Sequence, residues 1–291
     1  MLLERHVRVA EEPPVDLCVA HTPGEHAETL LVIHGGPDWD QTYLHDPLVR
    51  LGDERRVVFA DLRGCGRSTR GLPPDAYTPE SATRDLVALL TFLGEEPVDV
   101  LGFSYGGLIA QRLALAAPER VRRLVVASSS VLPVPPDAFA GWAERDERIA
   151  SQPPVENRNG GWDAHRTRLE AIRSARVDLW RRDRLSDYLA RLDRVSFSAE
   201  WAGPWVAGKL PEPRLPEGVE RLARLGMPVL LLQGRRDMTF PVSLVEPTLQ
   251  MVPTAVAAVI EDAGHMTHID QPEAWLDALR NFLRSDERRR E

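Results

Sequence analysis

Apolar positions along this chain fall into two alternating rhythms. Short unbroken runs recur through the first 130 residues: Leu30-Leu31-Val32-Ile33, Val57-Val58-Phe59-Ala60, Val98-Asp99-Val100-Leu101 and Leu124-Val125-Val126-Ala127. Runs of this kind predict strands covered on both faces, as in a buried parallel sheet. Between them, residues 81–94 and 107–117 place apolar side chains three and four apart, which is one face of a helix. Thr78-Pro79-Glu80-Ser81 has the polar cap and early proline of a helix start, and Pro118 stops the second helix. Strand–helix alternation predicts an α/β fold, a doubly wound and mostly parallel sheet.

The rhythm breaks at Val131-Leu132-Pro133-Val134-Pro135-Pro136. From there to about Gly218 the chain is rich in Trp, Arg, Asp and Glu, with helical spacing over 139–149, 165–182 and 185–194 and Pro or Gly clusters between them. The expected organisation is a core over 1–130, an inserted helical cap over 131–225, and a core that resumes over 226–291. The resumed core holds two more strands, Pro228–Gln233 and Ala255–Ile260, and a last amphipathic helix from Pro272 to about Arg284. The tail Asp286–Glu291 reads as a frayed, solvated helix end.

In a doubly wound sheet, reactive groups come from the loops at the carboxyl ends of strands. The third run leads into Gly102-Phe103-Ser104-Tyr105-Gly106 and then a helix. That is a G-x-S-x-G turn in the setting its mechanism requires, and it makes Ser104 the candidate nucleophile. The run ending at Gln233 leads to Gly234-Arg235-Arg236-Asp237, and the run ending at Glu261 leads to Asp262-Ala263-Gly264-His265. His265 is the candidate base and Asp237 its orienting carboxylate, in the chain order Ser, Asp, His. Asp262 rivals Asp237 but sits three residues before the histidine, too close to reach Nδ1. His268 rivals His265 but falls on the turn into the last helix. His34-Gly35-Gly36-Pro37 comes after the first run, so the N–H groups of Gly36 and Tyr105 are candidate oxyanion donors. His34 itself reads as a buried scaffold residue.

Composition narrows the partners. A net charge of −8 disfavours nucleic acid and anionic membrane surfaces. No stretch approaches the roughly 20 apolar residues of a membrane span, and the first residues carry charge where a secretion signal is apolar, so the expectation is a cytoplasmic protein. Cys18 and Cys65 lack metal or redox spacing and are expected as reduced thiols. No phosphate loop or HExxH occurs, so neither cofactor nor metal is expected.

At these residues the chain resembles the α/β-hydrolase fold family, and within it the proline iminopeptidase-like branch. The resemblance is carried by His34–Pro37, by Asp61-Leu62-Arg63-Gly64-Cys65-Gly66-Arg67-Ser68, by Gly102–Gly107, and by the Asp237 and Gly264-His265 segments. It implies a cofactor-independent serine hydrolase that releases an N-terminal residue from a small or short peptide-like amide with a free amine. It also implies cap carboxylates for the substrate ammonium, and Asp193 and the Glu200-Trp201 pair occupy similar stretches. Asp38 departs from the glycine usual after His-Gly-Gly-Pro. Phe103 and Tyr105 differ from the Gly and Trp flanks of many proline iminopeptidases. Similar enzymes trim aminoacyl groups in macrolactam antibiotic assembly, and Trp142, Trp162, Trp180, Trp201 and Trp205 are available to line a wide apolar tunnel. The same core would serve a carboxylesterase or lactonase, and a ligand-binding protein on a hydrolase scaffold is the alternative outside enzymes.

Overall fold

The computed structural model describes residues 1–94, 96–154 and 161–285. Eight strands form one sheet: β1 (Leu3–Glu11), β2 (Pro14–His21), β3 (Thr29–Ile33), β4 (Arg56–Ala60), β5 (Val98–Phe103), β6 (Val121–Ala127), β7 (Val229–Gly234) and β8 (Ala255–Ile260). Their order is β1-β2-β4-β3-β5-β6-β7-β8, with the β1–β2 and β2–β4 pairings antiparallel and the rest parallel. Successive residues of a strand point to opposite faces. On β3, Leu31 and Ile33 join one buried cluster while Leu30 and Val32 join the other; on β5, Val100 faces the first, Leu101 and Phe103 the second. Both faces are covered, which is why these strands read as unbroken apolar runs.

The helices are α1 (His45–Leu48), α2 (Pro79–Leu93), α3 (Tyr105–Ala116), α4 (Ala143–Ala150), α5 (Ala164–Asp178), α6 (Leu185–Leu192), α7 (Ala202–Val206), α8 (Gly218–Leu225), α9 (Val245–Met251), α10 (Thr267–Asp270) and α11 (Pro272–Arg284). Helix α2 starts as expected: Thr78 caps it by accepting from Ser81 N–H at 3.1 Å, with Pro79 in the first turn. Helices α2, α3 and α8 pack on the first face and α11 on the second. Helices α4 to α8 lie in sequence between β6 and β7, where the described residues contain no strand. The tail beyond Ser285 lies outside the described residues.

The sequence pattern missed the β1–β2 hairpin. Along β1 only Val7 is buried, and Glu4, Arg5, His6 and Arg8 face out, so this edge strand lacks the apolar run that marked the others. At the amino end of β5, Asp99 is buried among Arg55, Arg122 and Arg123, with carboxylate–guanidinium contacts of 2.7–3.4 Å. That cluster anchors the strand whose opposite end carries Ser104.

Candidate active site

Ser104 stands between β5 and α3 at φ 54°, ψ −121°, a conformation that a residue with a side chain adopts only under strain of about 1–3 kcal/mol. The surroundings enforce it. Ser104 N–H donates to Ala127 O on β6, and Ser104 O accepts from Gly107 N–H, both at 2.9 Å. The glycines are required by contact distance: a Cβ on Gly102 would sit 2.2 Å from Gly106 O, and one on Gly106 would sit 2.3 Å from Ile33 O. The turn therefore brings strand, helix and the next loop together and leaves the Ser104 hydroxyl at the carboxyl edge of the sheet.

His265 reaches this hydroxyl from the loop after β8, with Nε2 at 3.0 Å from Ser104 Oγ. Its Nδ1 lies 3.0 Å from Asp237 Oδ2, so the proton on Nδ1 faces the carboxylate and Nε2 is left as the acceptor. Asp237 is 1% exposed and fixed on every side. Its Oδ1 accepts from Thr239 N–H at 2.7 Å and Phe240 N–H at 2.9 Å, and Oδ2 accepts from Gln233 Nε2 at 2.9 Å. Burial of His265 disfavours the imidazolium, but the charge and hydrogen bond of Asp237, aided by the buried Asp178, outweigh it and raise the pKa above the usual 6.5.

His34 orients the glycine turn. Its Nε2 accepts from Leu62 N–H at 3.0 Å, so Nδ1 carries the proton and donates to Gly35 O at 2.7 Å. Carbonyl and N–H of one trans peptide point opposite ways, so pinning Gly35 O fixes the direction of Gly36 N–H. Tyr43 OH accepts from Gly35 N–H at 2.8 Å and completes the clamp. Tyr105 is the first residue of α3, so its N–H has no acceptor within the helix.

Ser104, Gly36 and Tyr105 line a cavity of about 410 Å³ with Leu108, Trp205 and Arg214 among its walls. A second cavity of about 310 Å³ shares Gly36 and Trp205 with the first and is walled by Trp39, Trp162 and Ala171. The two spaces flank the glycine turn, and Trp205, 56% exposed, stands at their common edge.

A family model described as alpha/beta hydrolase fold matches residues 28–272. The chain belongs to the alpha/beta hydrolase fold family. It is 29% identical over 273 residues to a 2-hydroxymuconate semialdehyde hydrolase of Pseudomonas putida, covering 90% of this chain and 89% of that one. It is 24% identical over 279 residues to a proline iminopeptidase of Lactobacillus crispatus, covering 87% and 89%. Its structure resembles that of a thermophilic esterase from Thermogutta terrifontis, with a TM-score of 0.71, 25% identity and 98% of each chain covered.

This alpha/beta hydrolase brings Ser104, His265 and Asp237 together and sets the rivals aside. Asp262 is exposed in a turn, where its carbonyl accepts from Gln271. His268 is fully buried against Phe103, Tyr43 and Trp275, and burial holds its pKa well below the usual value. The three residues expected at the substrate lie elsewhere. Asp193 has an exposed carboxylate paired with Arg168 at 2.6 Å. Glu200 packs beside Gly64 and the Tyr77 hydroxyl. Trp201 is fully buried, packs near Tyr77 and Tyr105, and donates its indole N–H to Arg63 O at 2.8 Å. An aromatic residue in that position is part of the packed core.

Two buried acids, Asp38, which the sequence marked only as a departure, and Asp270, which it did not mark, tie the site to the helical stretch. Asp38 accepts from Ser198 Oγ at 2.9 Å, Trp201 N–H at 3.1 Å and Ala202 N–H at 2.8 Å. The departure from glycine after His-Gly-Gly-Pro thus joins the Gly36 loop to the start of α7. Asp270 accepts from Gly264 N–H at 2.7 Å and from Trp180 and Arg181 N–H at 2.9 Å each, joining the His265 loop to the end of α5. Among the described residues, no group of His, Cys, Asp and Glu is arranged to hold a metal ion.

Proposed function

We propose that this protein is a serine hydrolase that opens an ester or amide bond of a small acyl compound through an acyl-enzyme on Ser104. The observation that carries this is the unbroken relay from Ser104 Oγ through His265 to Asp237, with both hydrogen bonds at 3.0 Å. In this mechanism His265 Nε2 takes the hydroxyl proton as Oγ attacks the carbonyl carbon, and Asp237 stabilises the imidazolium. The oxyanion forms against Gly36 and Tyr105 N–H, two donors of the kind that stabilise a tetrahedral intermediate. His265 returns the proton to the leaving oxygen or nitrogen, and water repeats the sequence on the acyl-enzyme. The two spaces beside Gly36 supply room for the groups on either side of the carbonyl, with the 131–225 segment acting as the cap over them.

A fluorophosphonate probe should label the folded protein stoichiometrically at Ser104, and 4-nitrophenyl butyrate should be turned over. Absence of both would return the chain to the class of ligand-binding hydrolase scaffolds. A second reading, release of an N-terminal amino acid, is supported by the His34–Pro37 and Asp61–Ser68 motifs and by the similarity to a proline iminopeptidase. Glu212 is the carboxylate on the Ser104 cavity that would meet a substrate ammonium. Prolyl and alanyl 4-nitroanilides cleaved only with a free amine would select this reading.

The relay also sets the pH dependence. His265 acts as a base only when neutral, and its pKa in the free enzyme lies above 6.5. Plotted against pH, kcat/KM should fall about tenfold per unit on the acid side, from a midpoint above that of a free imidazole. Asp237→Asn should move the midpoint down; an unmoved midpoint would detach Asp237 from His265.

A further inference from the structure

Arg214 is an under-satisfied guanidinium on the wall that holds the nucleophile. It lines the Ser104 cavity and also borders two neighbouring cavities against α3 and α8, and its side chain is 20% exposed. One donor goes to a neutral acceptor, Ser130 Oγ, at 2.7 Å. Its nearest carboxylate, Glu212, stands 3.7 Å away on a side chain that is 71% exposed. The buried Nε has no partner, as is also true of Arg112 Nε, so what sets Arg214 apart is the lack of a close carboxylate. Other enclosed arginines of this chain are held closely: Arg63 is bidentate to Asp85, at 2.5 and 2.6 Å, and Arg191 binds Asp46 at 2.7 Å. Even Arg112, which borders the same loop, binds Glu80 at 2.6 Å and reaches Pro213 O at 3.3 Å. Burial also pulls the Arg214 pKa below its ordinary value, with only Glu212 opposing it.

A guanidinium offers five donors in a fork that matches a carboxylate, and an enclosed one left with a hydroxyl and a loose ion pair has unused capacity. Ser130 Oγ donates onward to Leu132 O at 2.8 Å, so the hydroxyl that holds Arg214 is itself fixed. Glu212, the one other charged residue on this cavity, is exposed, accepting from Arg214 N–H at 3.5 Å.

The geometry points to Arg214 as the residue that receives a carboxylate on the substrate, so that the preferred compounds are monoesters or monoamides carrying a second, free carboxylate. This rests on the acyl-hydrolase reading of Ser104 and adds the charge class of its substrate. A cationic N-terminal substrate would meet the opposite preference, so the same measurement separates the two readings of the site.

The test compares 4-nitrophenyl hemiglutarate with 4-nitrophenyl valerate, its neutral counterpart of equal length, on wild type, Arg214→Gln, Arg214→Lys and Glu212→Gln. Wild type should favour the anionic ester about 10- to 100-fold in kcat/KM, and less at high salt, as charge-assisted hydrogen bonds predict. Arg214→Gln should erase that preference through KM while valerate turnover changes less than about threefold. Arg214→Lys should retain part of it, and Glu212→Gln should enlarge it. Equal use of both esters by wild type, or equal losses on both in Arg214→Gln, overturns the assignment. A second arm does not need turnover: calorimetry should show glutarate binding to Ser104→Ala and weakened about tenfold or more by adding Arg214→Gln. If no ester is cleaved and no probe labels Ser104, the hydrolase reading fails while the glutarate arm still reads Arg214. Glutarate binding that is absent or indifferent to Arg214 overturns the assignment by itself.

Discussion

Replacing Ser104 with alanine should lower kcat for ester hydrolysis by about 10⁶-fold and leave the folded structure in place, since nucleophile, base and carboxylate act as a unit. The Cβ survives in this variant, so the packing of the turn against Ile33, Gly106 and Ala127 survives with it, and the strained φ is neither relieved nor worsened. What disappears is the one atom that His265 Nε2 contacts at 3.0 Å. His265→Ala should cost a comparable factor, and the double variant little more than either single one. Steady-state kinetics on an excess of each variant, with probe labelling to exclude wild-type carry-over, gives the numbers. Retention of a hundredth of wild-type activity by Ser104→Ala would place the nucleophile elsewhere.

Ser104, Asp237 and His265 could be read from the sequence because each obeys a rule of position. Each lies just beyond an apolar run, and a doubly wound sheet gathers the loops at the carboxyl ends of its strands along one edge. The parallel strands were readable for a related reason, since burial on both faces leaves no polar alternation. The β1–β2 hairpin escaped because an edge strand with Glu4, Arg5, His6 and Arg8 facing out looks like charged surface. Asp193 and Glu200 were drawn from similarity in a helical stretch that no packing rule fixes, and each carboxylate found a local partner instead of the cavity. The joining roles of Asp38 and Asp270 escaped for a deeper reason. Most of their donors are backbone N–H groups about 160 and 90 residues away, and a backbone donor has no side-chain identity for a pattern to register.

Those two acids give the helical stretch its fixed relation to the site. Asp38 holds the loop of one proposed oxyanion donor, and Asp270 holds the loop of the proposed base. Each does so with a buried carboxylate accepting two N–H groups from the 131–225 segment. Just past the Asp38 contacts, at the end of α7, Trp205 and Val206 stand exposed on the cavity beside Gly36.

Asp270→Ala should destabilise the protein by about 3–5 kcal/mol, the largest single loss of stability expected near the site. The carboxylate is fully buried and accepts from Gly264, Trp180 and Arg181, so its removal orphans three N–H groups at once. A buried donor left without a partner costs about 1–3 kcal/mol. The sum falls toward the lower end because Trp180 and Arg181 are only part-buried and can turn to water, whereas Gly264 cannot: a Cβ there would already sit 2.8 Å from Asp178 O. Asp270→Asn keeps one acceptor oxygen but turns an amide N–H₂ toward a donor, so it should cost about half as much. The catalytic consequence comes from position, because Gly264 precedes His265 and its N–H is one of the bonds that set the histidine loop. In urea unfolding, both variants should shift the midpoint with little change in slope. Their kcat should fall more than their KM rises, since the base is displaced and the cavity walls are not. A loss under about 1 kcal/mol, the low end for one orphaned donor, with kcat unchanged would mean that the 178–181 segment is held to the His265 loop by its other contacts, such as Met266 N–H to Asp178 O at 2.9 Å.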